Sequence, residues 1–182
     1  MQETSVVEIR RDQRSKRIYD VADYDVQLPD GRTVTWACVE GPDIVVVLAV
    51  DADKNVLMKR EWRLSQKREI LELVSGRIDR GEQAEACAIR ELKEEIGATA
   101  DNFLSLGKIS LWNHTTVHAH MYLATGLEVG CNNPDEDEFL KFEKVPYDQV
   151  FEKALEAGTN AQTLLALYAA REKLQKIFSV KK

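Results

Sequence analysis

The chain has 182 residues, 44% of them hydrophobic, which suits one globular domain with a substantial core and leaves little room for a second full domain. Its formal net charge of −6 argues against a nucleic-acid partner. The polar first twenty residues, and a longest apolar run of only residues 44–50, argue against a signal peptide and a membrane span. Because Cys38, Cys87 and Cys131 form no recognisable disulfide framework, we expect a cytoplasmic protein.

The first 40 residues predict an arm of β-strands. Residues 5–10, 24–28 and 33–39 alternate between polar and apolar side chains, and Pro29-Asp30-Gly31 supplies turn chemistry between the last two stretches. Such an arm is too short to fold alone, and it offers edge strands to a partner.

Beyond residue 41, strands and helices interleave without the regular alternation of a doubly wound sheet, so the pattern predicts a mixed sheet flanked by helices. The predicted strands are residues 43–49, 56–62, 70–74, 103–111, 117–124 and 139–145. The predicted helices are residues 84–96, 147–156 and 159–178.

The helix predicted over residues 84–96 carries three glutamates at i, i+3 and i+4, namely Glu91, Glu94 and Glu95, so their carboxylates share one face. The opposite, apolar face comprises Ala88, Ile89, Leu92 and Ile96. Like charges on one face repel each other, which favours a bound cation, and an all-oxygen site suits Mg²⁺ or Mn²⁺. The alternative from the helix alone is a solvated face with Arg90 and Lys93 as counter-ions.

The residues around this helix favour the cation site. Gly76, five residues, Glu82, seven residues and the run Arg90-Glu91-Leu92-Lys93-Glu94-Glu95-Ile96-Gly97 reproduce the Nudix box, and the chain resembles that superfamily. The next position, normally a bulky aliphatic residue, is Ala98, a difference that concerns packing behind the helix. The resemblance implies an α/β protein, an α/β/α sandwich with a mixed β-sheet, and a metal-dependent hydrolase that uses Mg²⁺, with Mn²⁺ as a substitute.

Carried over by motif position, the resemblance also implies the roles of individual residues. The implied metal ligands are the Ser75 carbonyl, Glu91, Glu94 and Glu95, with Glu94 as a ligand or as the residue that positions the attacking water. Arg90 and Glu82 fall where the family uses a salt bridge to hold the carboxylates in place. Arg90 is therefore counted with the catalytic residues.

The resemblance extends from about residue 45 to residue 155, in the order of the ADP-ribose and nucleoside diphosphate sugar pyrophosphatase branch. The stretch that contains Arg60 and Arg63 is similar to a strand ending in a Gln-Tyr-Arg-like triplet, and the stretch from Glu72 to a Glu-Leu-Pro-Ala-Gly lead-in. Arg60, Arg63 and Glu72 are thus candidate substrate contacts, since a guanidinium offers a bidentate fork to phosphate. The alternative for Arg63 is a surface arginine at a strand end.

Aromatic and histidine side chains supply further candidates for contact with the base and the sugar. Trp36 and Trp62 either stack on a base or fill the core, and the core is the ordinary role of each taken singly. His114 and His118 are candidates for the sugar end of the pocket, and polar histidines at a strand edge are the alternative.

An acidic loop precedes the strand predicted at residues 139–145. Its residues Glu136 and Glu138 lie where this branch often carries its general base or an extra metal ligand. The alternative is an acidic loop that is only solvated.

The resemblance implies hydrolysis of the pyrophosphate bond of nucleoside diphosphate sugars, ADP-ribose included, to a nucleoside monophosphate and a sugar phosphate. Asn113 stands where ADP-ribose-specific relatives carry a proline, which favours a broader nucleotide-sugar activity. Dinucleoside polyphosphates, NADH or nucleoside triphosphates are alternative substrates. A module that binds nucleotide sugars without cutting them is an alternative of another class, although such modules are expected to lose box carboxylates.

The predicted organisation is an arm of residues 1–40 followed by a Nudix hydrolase domain of residues 41–182. In the branch that this chain resembles, such an arm packs across a two-fold dimer and completes the partner's pocket. A homodimer is therefore expected, with a small nucleotide as the only other partner.

Overall fold

The computed structural model describes residues 7–13, 19–130 and 141–179, and of residues 7–13 it describes only the backbone. The chain divides into two compact units: Met1–Asp43 with Ser110–His118, and Ile44–Ile109 with Ala119–Lys182. Within the described part of the chain, no helix combines the length and apolar character that crossing a membrane requires.

The first unit is built on a three-stranded antiparallel sheet in the order β1-β2-β3. Its strands are β1 (Val7–Gln13), β2 (Asp20–Gln27) and β3 (Thr33–Glu40). The predicted turn joins β2 to β3, and Gly31 adopts a φ of 86°, a left-handed conformation that glycine reaches without strain. The Asp30 carboxylate accepts a hydrogen bond from the Arg32 backbone N–H at 3.1 Å, which closes the turn.

The segment Ser110–His118 belongs to this first unit although it is remote in sequence. The Val39 N–H donates to the His114 carbonyl at 2.8 Å, and the Thr116 N–H donates back to the Val39 carbonyl at 2.9 Å. The His118 N–H donates to the Asp43 carboxylate at 2.8 Å. The segment of residues 110–118 therefore pairs with the end of β3, and no local sequence pattern predicts this pairing.

The described residues of the second unit form a seven-stranded mixed sheet and three helices. Its strands are β4 (Ile44–Val50), β5 (Asn55–Arg63), β6 (Arg68–Glu72), β7 (Val74–Arg77), β8 (Ala98–Ser110), β9 (His118–Val129) and β10 (Lys141–Pro146). Its helices are α1 (Ala84–Ile96), α2 (Val150–Ala157) and α3 (Ala161–Ser179). The main path runs β10-β5-β4-β9-β8, with β6 paired to β5, β7 paired to β4, and β4 parallel to β9.

The central strand β4 is buried on both faces, which explains its unbroken apolar sequence. Because side chains alternate along a strand, Val46, Leu48 and Val50 belong to one core cluster, which includes residues of α2 and α3. The other alternating residues of β4 belong to a second cluster with residues of α1. The two clusters make this unit an α/β/α sandwich, as predicted.

Most predicted elements of the second unit are present, with three corrections. The single strand predicted at residues 70–74 is two strands, β6 and β7, separated by Leu73. Ile89, assigned to the apolar face of the helix, is 45% exposed, because the buried stripe of α1 passes through Cys87 and Ala88 instead. Trp62 is 53% exposed, so its assignment to the core is wrong.

Candidate active site

Strand β7 and helix α1 bring a stretch of backbone and the carboxylates of the motif together. Ser75 and Gly76 lie on β7, which packs against α1. A Cβ atom at Gly76 would lie 1.8 Å from the Cδ atom of Glu91, so only glycine lets this carboxylate approach the backbone so closely. The Ser75 N–H also lies 3.4 Å from a carboxylate oxygen of Glu95. Two of the predicted ligands thus converge on the backbone that carries the third.

Arg90 organises the outer carboxylates. Its guanidinium donates to both oxygens of Glu82, at 2.9 and 3.0 Å, and this is the ion pair that the motif implies. Its Nη1 atom donates to Glu91 at 2.7 Å and to Glu94 at 2.9 Å. One planar cation therefore orients three carboxylates, because its several N–H groups point in fixed directions.

The electrostatics differ between these carboxylates. Hydrogen bonds from Arg90 and from the Asp79 backbone lower the pKa of Glu82 to about 2, so the Glu82 carboxylate is ionised at neutral pH. Burial raises the pKa of Glu91 above its ordinary value, and Arg90 opposes this effect only in part. A carboxylate whose charge is poorly solvated gains more from a bound cation than a well-solvated one.

Glu95 is the inner carboxylate of the helix, and its partner is Lys59 on β5. The Lys59 ammonium donates a hydrogen bond to Glu95, and both side chains are only 1% exposed. Lys59 Nζ also lies 3.1 Å from Glu61, at ion-pair distance without hydrogen-bond alignment, and 4.0 Å from Glu72. Burial lowers the pKa of Lys59, but the surrounding carboxylates, Glu95 foremost, raise it above its ordinary value. Lys59 is thus a buried cation.

Glu72 is fully buried, and both of its oxygens have partners. One accepts a hydrogen bond from Arg63, which also pairs with Glu61 at 2.7 Å, and the other accepts from the Asn160 side chain at 2.7 Å. Asn160 in turn accepts from the Thr163 N–H at 2.9 Å and so caps the start of α3. Arg63 and Glu72 therefore belong to the same charged cluster as Glu95, and direct contact of either with substrate requires it to change partners.

Arg60 does not join this cluster. It pairs with Glu143 of β10 at 2.9 Å, because successive side chains of β5 point to opposite faces of the sheet. Lys59, Glu61 and Arg63 share the face of Glu95, and Arg60 lies on the other face. The structure thus separates the two arginines that the sequence had grouped.

Three other predicted contacts lie in the first unit. Trp36 of β3 is 45% exposed, so it does not fill the core. The ring of His114 meets that of Trp112 edge-on, with centroids 5.4 Å apart, and His118 Nδ1 lies 3.4 Å from the Asp43 carboxylate. Glu136 and Glu138 lie outside the described residues.

The donor set can be tested for its fit to a divalent cation. Across residues 19–130 and 141–179, no three acidic, histidine or cysteine side chains are positioned to surround an ion. The reason at α1 is that Arg90 pairs with Glu91 and Glu94, while Lys59 pairs with Glu95. The donors themselves fit, since they are all oxygens and the absence of a side chain at Gly76 admits Glu91 to the backbone. Metal binding therefore requires these carboxylates to give up their present partners, Arg90 and Lys59.

Lys59, Glu61 and Asn160 are the functional candidates that sequence reasoning missed. A charged residue within the apolar run of β5 was a signal for Lys59, since lysine is almost never fully buried without a partner. Asn160 carried the signal of a helix cap, but its bond to Glu72 spans 88 residues and has no local signature.

Comparison with known proteins places the chain in a family. Residues 41–167 match the NUDIX domain, which is more than half of the chain. The protein therefore belongs to the Nudix family, and the predicted family, the mixed-sheet α/β fold and the assignment as a Nudix enzyme are confirmed.

Individual relatives refine the comparison. The chain is 34% identical over 137 residues to an ADP-ribose pyrophosphatase of Bacillus subtilis (strain 168), covering 72% of each chain. It is 25% identical over 178 residues to the ADP compounds hydrolase NudE of Escherichia coli (strain K12), covering 96% of this chain and 95% of the relative. A crystal structure of an ADP compounds hydrolase matches with a TM-score of 0.77 at 24% identity, covering 95% and 93% of the two chains, which supports the fold.

Proposed function

We propose that this protein hydrolyses the pyrophosphate bond of nucleoside diphosphate sugars, with ADP-ribose as one substrate among several, and releases a nucleoside monophosphate and a sugar phosphate. The observation that carries the proposal is the carboxylate face of α1, which Arg90 organises against the Ser75–Gly76 backbone. The names of the B. subtilis and E. coli relatives support an ADP-containing diphosphate as substrate.

Mg²⁺ is the proposed cofactor, with Mn²⁺ as a substitute. The Ser75 carbonyl, Glu91, Glu94 and Glu95 would hold it, as hard oxygen donors suit both ions. When bound, such a cation neutralises pyrophosphate oxygens and activates water. Glu94 is 41% exposed, which supports a role beside the solvent, either as a ligand or in positioning the attacking water.

The chain's own cations and aromatic groups would bind the substrate. Arg63 is the proposed phosphate contact, and it would leave Glu61 or Glu72 to make it. Trp36, which is 45% exposed, is proposed for the base, and His114 and His118 for the sugar. Glu136 or Glu138 is proposed as the general base or an additional ligand. The structure gives no support for Arg60 as a partner of the same phosphate.

A cytoplasmic homodimer is proposed as the working assembly, with the arm of residues 1–40 at the interface. The three-stranded sheet of the first unit supports this, since edge strands and exposed aromatic groups favour association. Multi-angle light scattering of the full chain should give twice its mass of 20.7 kDa. A monomer at micromolar concentration would contradict the assembly but would leave the chemistry untouched.

The substrate proposal is tested by comparing kcat/KM for ADP-ribose, ADP-glucose, UDP-glucose, GDP-mannose, NADH, diadenosine polyphosphates and nucleoside triphosphates. Reactions with Mg²⁺ and with Mn²⁺ are followed by phosphate release after coupling to a phosphatase, except for the triphosphates, which a phosphatase attacks directly and for which release of pyrophosphate is measured. We expect several nucleotide sugars to lie within about tenfold of each other, since a solvent-exposed contact such as His118, 38% exposed, leaves no buried polar group unpaired when the sugar changes. A triphosphate, NADH or dinucleotide that exceeded every nucleotide sugar tenfold would contradict the proposal, and binding of ADP-ribose without turnover would favour the sensing module.

A further inference from the structure

The ion pairs of the described residues around Lys59 join fewer cations than carboxylates. Lys59 and Arg63 are the cations of these pairs, and the carboxylates are those of Glu61, Glu72 and Glu95. Four of the five side chains are more than four-fifths buried, and Arg63 is about one-third exposed. A buried cluster with surplus negative charge is unfavourable unless a further cation compensates it.

The position of Lys59 relates this imbalance to the proposed metal site. Its ammonium occupies one oxygen of Glu95, and the other oxygen of Glu95 faces the Ser75 N–H at 3.4 Å. Lys59 also has a second carboxylate within reach, because Glu61 lies 3.1 Å from its Nζ atom. The ammonium can therefore release Glu95 and remain paired.

We infer that Lys59 is a resident counter-ion of the active site, which holds Glu95 in the metal-free protein and yields it to an incoming divalent cation. The inference rests on the proposed role of Glu95 as a metal ligand. Lys59 acts through Glu95 as a positioning residue and is not itself a group that contacts substrate. Its charge keeps the buried carboxylates compatible with folding before metal arrives, and it competes with the metal afterwards.

Two consequences distinguish this role from a purely structural one. Without the ammonium, the metal-free protein must bury more uncompensated negative charge, so its stability should fall and a divalent cation should restore it. Without its competitor, the metal should also bind more tightly. If Lys59 served only to pack against Glu95 or to position it, its removal would instead weaken metal binding.

The experiment compares Lys59→Met, which keeps the length of the side chain, with wild type and with Lys144→Met. Lys144 is exposed and pairs with Asp51, so this control removes the same charge outside the cluster. Mn²⁺ affinity is measured by electron paramagnetic resonance, and melting temperature is measured in EDTA and in saturating Mn²⁺. For Lys59→Met we expect Mn²⁺ to bind at least about 10-fold more tightly. Its Tm in EDTA should be about 10 °C lower and should largely recover with Mn²⁺.

Lys144→Met should change the Mn²⁺ dissociation constant by less than about twofold, because exposed charges are screened. The double variant Lys59→Met with Glu95→Gln should recover much of the metal-free Tm, since it removes both partners together.

Unchanged or weaker Mn²⁺ binding by folded Lys59→Met would overturn the inference. If Lys59→Met does not fold, Lys59→Gln is used in its place, with the same expected results. If neither variant folds even with Mn²⁺ present, the inference is also overturned. Glu95→Gln separates this inference from the proposed function. If that variant keeps wild-type Mn²⁺ affinity, the metal site itself is wrong, whereas weaker binding by Glu95→Gln without tighter binding by Lys59→Met rejects only the role of Lys59.

Discussion

Helix α1 carries two kinds of carboxylate, and they differ in where their counter-ion comes from. Glu91 and Glu94 are held by Arg90, a residue of the same helix turn and of the same motif. Glu95 is held by Lys59, which lies 36 residues earlier on β5. The pairing of Arg90 with Glu94 follows from their i, i+4 spacing on the helix, whereas the pairing of Lys59 with Glu95 exists only once strand and helix pack together.

The difference shows how one helix face combines two environments. The side of Glu94 and Arg90 is partly exposed, so solvent screens the change in charge that a substitution there causes. The side of Glu95 is closed, so loss of Lys59 would leave buried negative charge uncompensated. Variants on the two sides should therefore differ in the size and kind of their effects.

The largest effect is expected at the buried side. Glu95→Gln is nearly isosteric but uncharged, and it should lower kcat at least ~10²-fold at saturating Mg²⁺ because it weakens a proposed metal ligand. Circular dichroism should show an intact fold, since Lys59 keeps Glu61 as a partner. Glu85→Gln, on an exposed position of the same helix, is the control. Wild-type turnover by Glu95→Gln would remove Glu95 from the site.

The next effect is expected at the partly exposed side. Arg90→Gln removes the shared partner of Glu82, Glu91 and Glu94, so kcat should fall by about 10- to 10²-fold as the carboxylates lose their orientation. Arg90→Lys should recover little of this loss, because an ammonium lacks the planar fork. Steady-state kinetics of both variants at several Mg²⁺ concentrations test this, and full recovery by Arg90→Lys would mean that only the charge matters.

A smaller effect is expected where the helix meets the backbone. Gly76→Ala should lower kcat about 10-fold with little change in Tm, because the added Cβ displaces the flexible end of Glu91 and spares the core. Gly130→Ala is a matched control, since a Cβ there would meet only the Gly97 carbonyl at 3.4 Å. Equal kinetics for the two variants would show that the approach of Glu91 to Gly76 has no role in turnover.

The smallest effect should concern stability more than turnover. Asn160→Ala removes the cap of α3 and a hydrogen bond to Glu72, and should lower the free energy of unfolding by about 1–2 kcal/mol in urea denaturation. Thr159→Val is the control, as the Thr159 hydroxyl finds no hydrogen-bond partner among the described residues. A loss of equal size in both variants would mean that the loop, and not the cap, sets the stability.

The sequence alone determined the elements whose causes are local. The period of apolar residues and Gly97, which adopts a φ of 64° at the end of α1, define a helix with the bounds that the structure has. The spacing from Gly76 to Gly97 identified the family, and the apolar run of residues 44–50 identified the central strand. The ion pair between Arg90 and Glu82 also followed from the motif.

Only the tertiary structure decided which distant residues share a charge cluster. Lys59 and Arg60 are neighbours in sequence, but strand alternation sends one to Glu95 and the other to Glu143. Likewise, no local pattern indicates that Asn160 supports Glu72, or that residues 110–118 join the first unit. The physical reason is that a helix or a turn is specified by neighbours along the chain, whereas buried ion pairs depend on sheet order and on the face to which each side chain points.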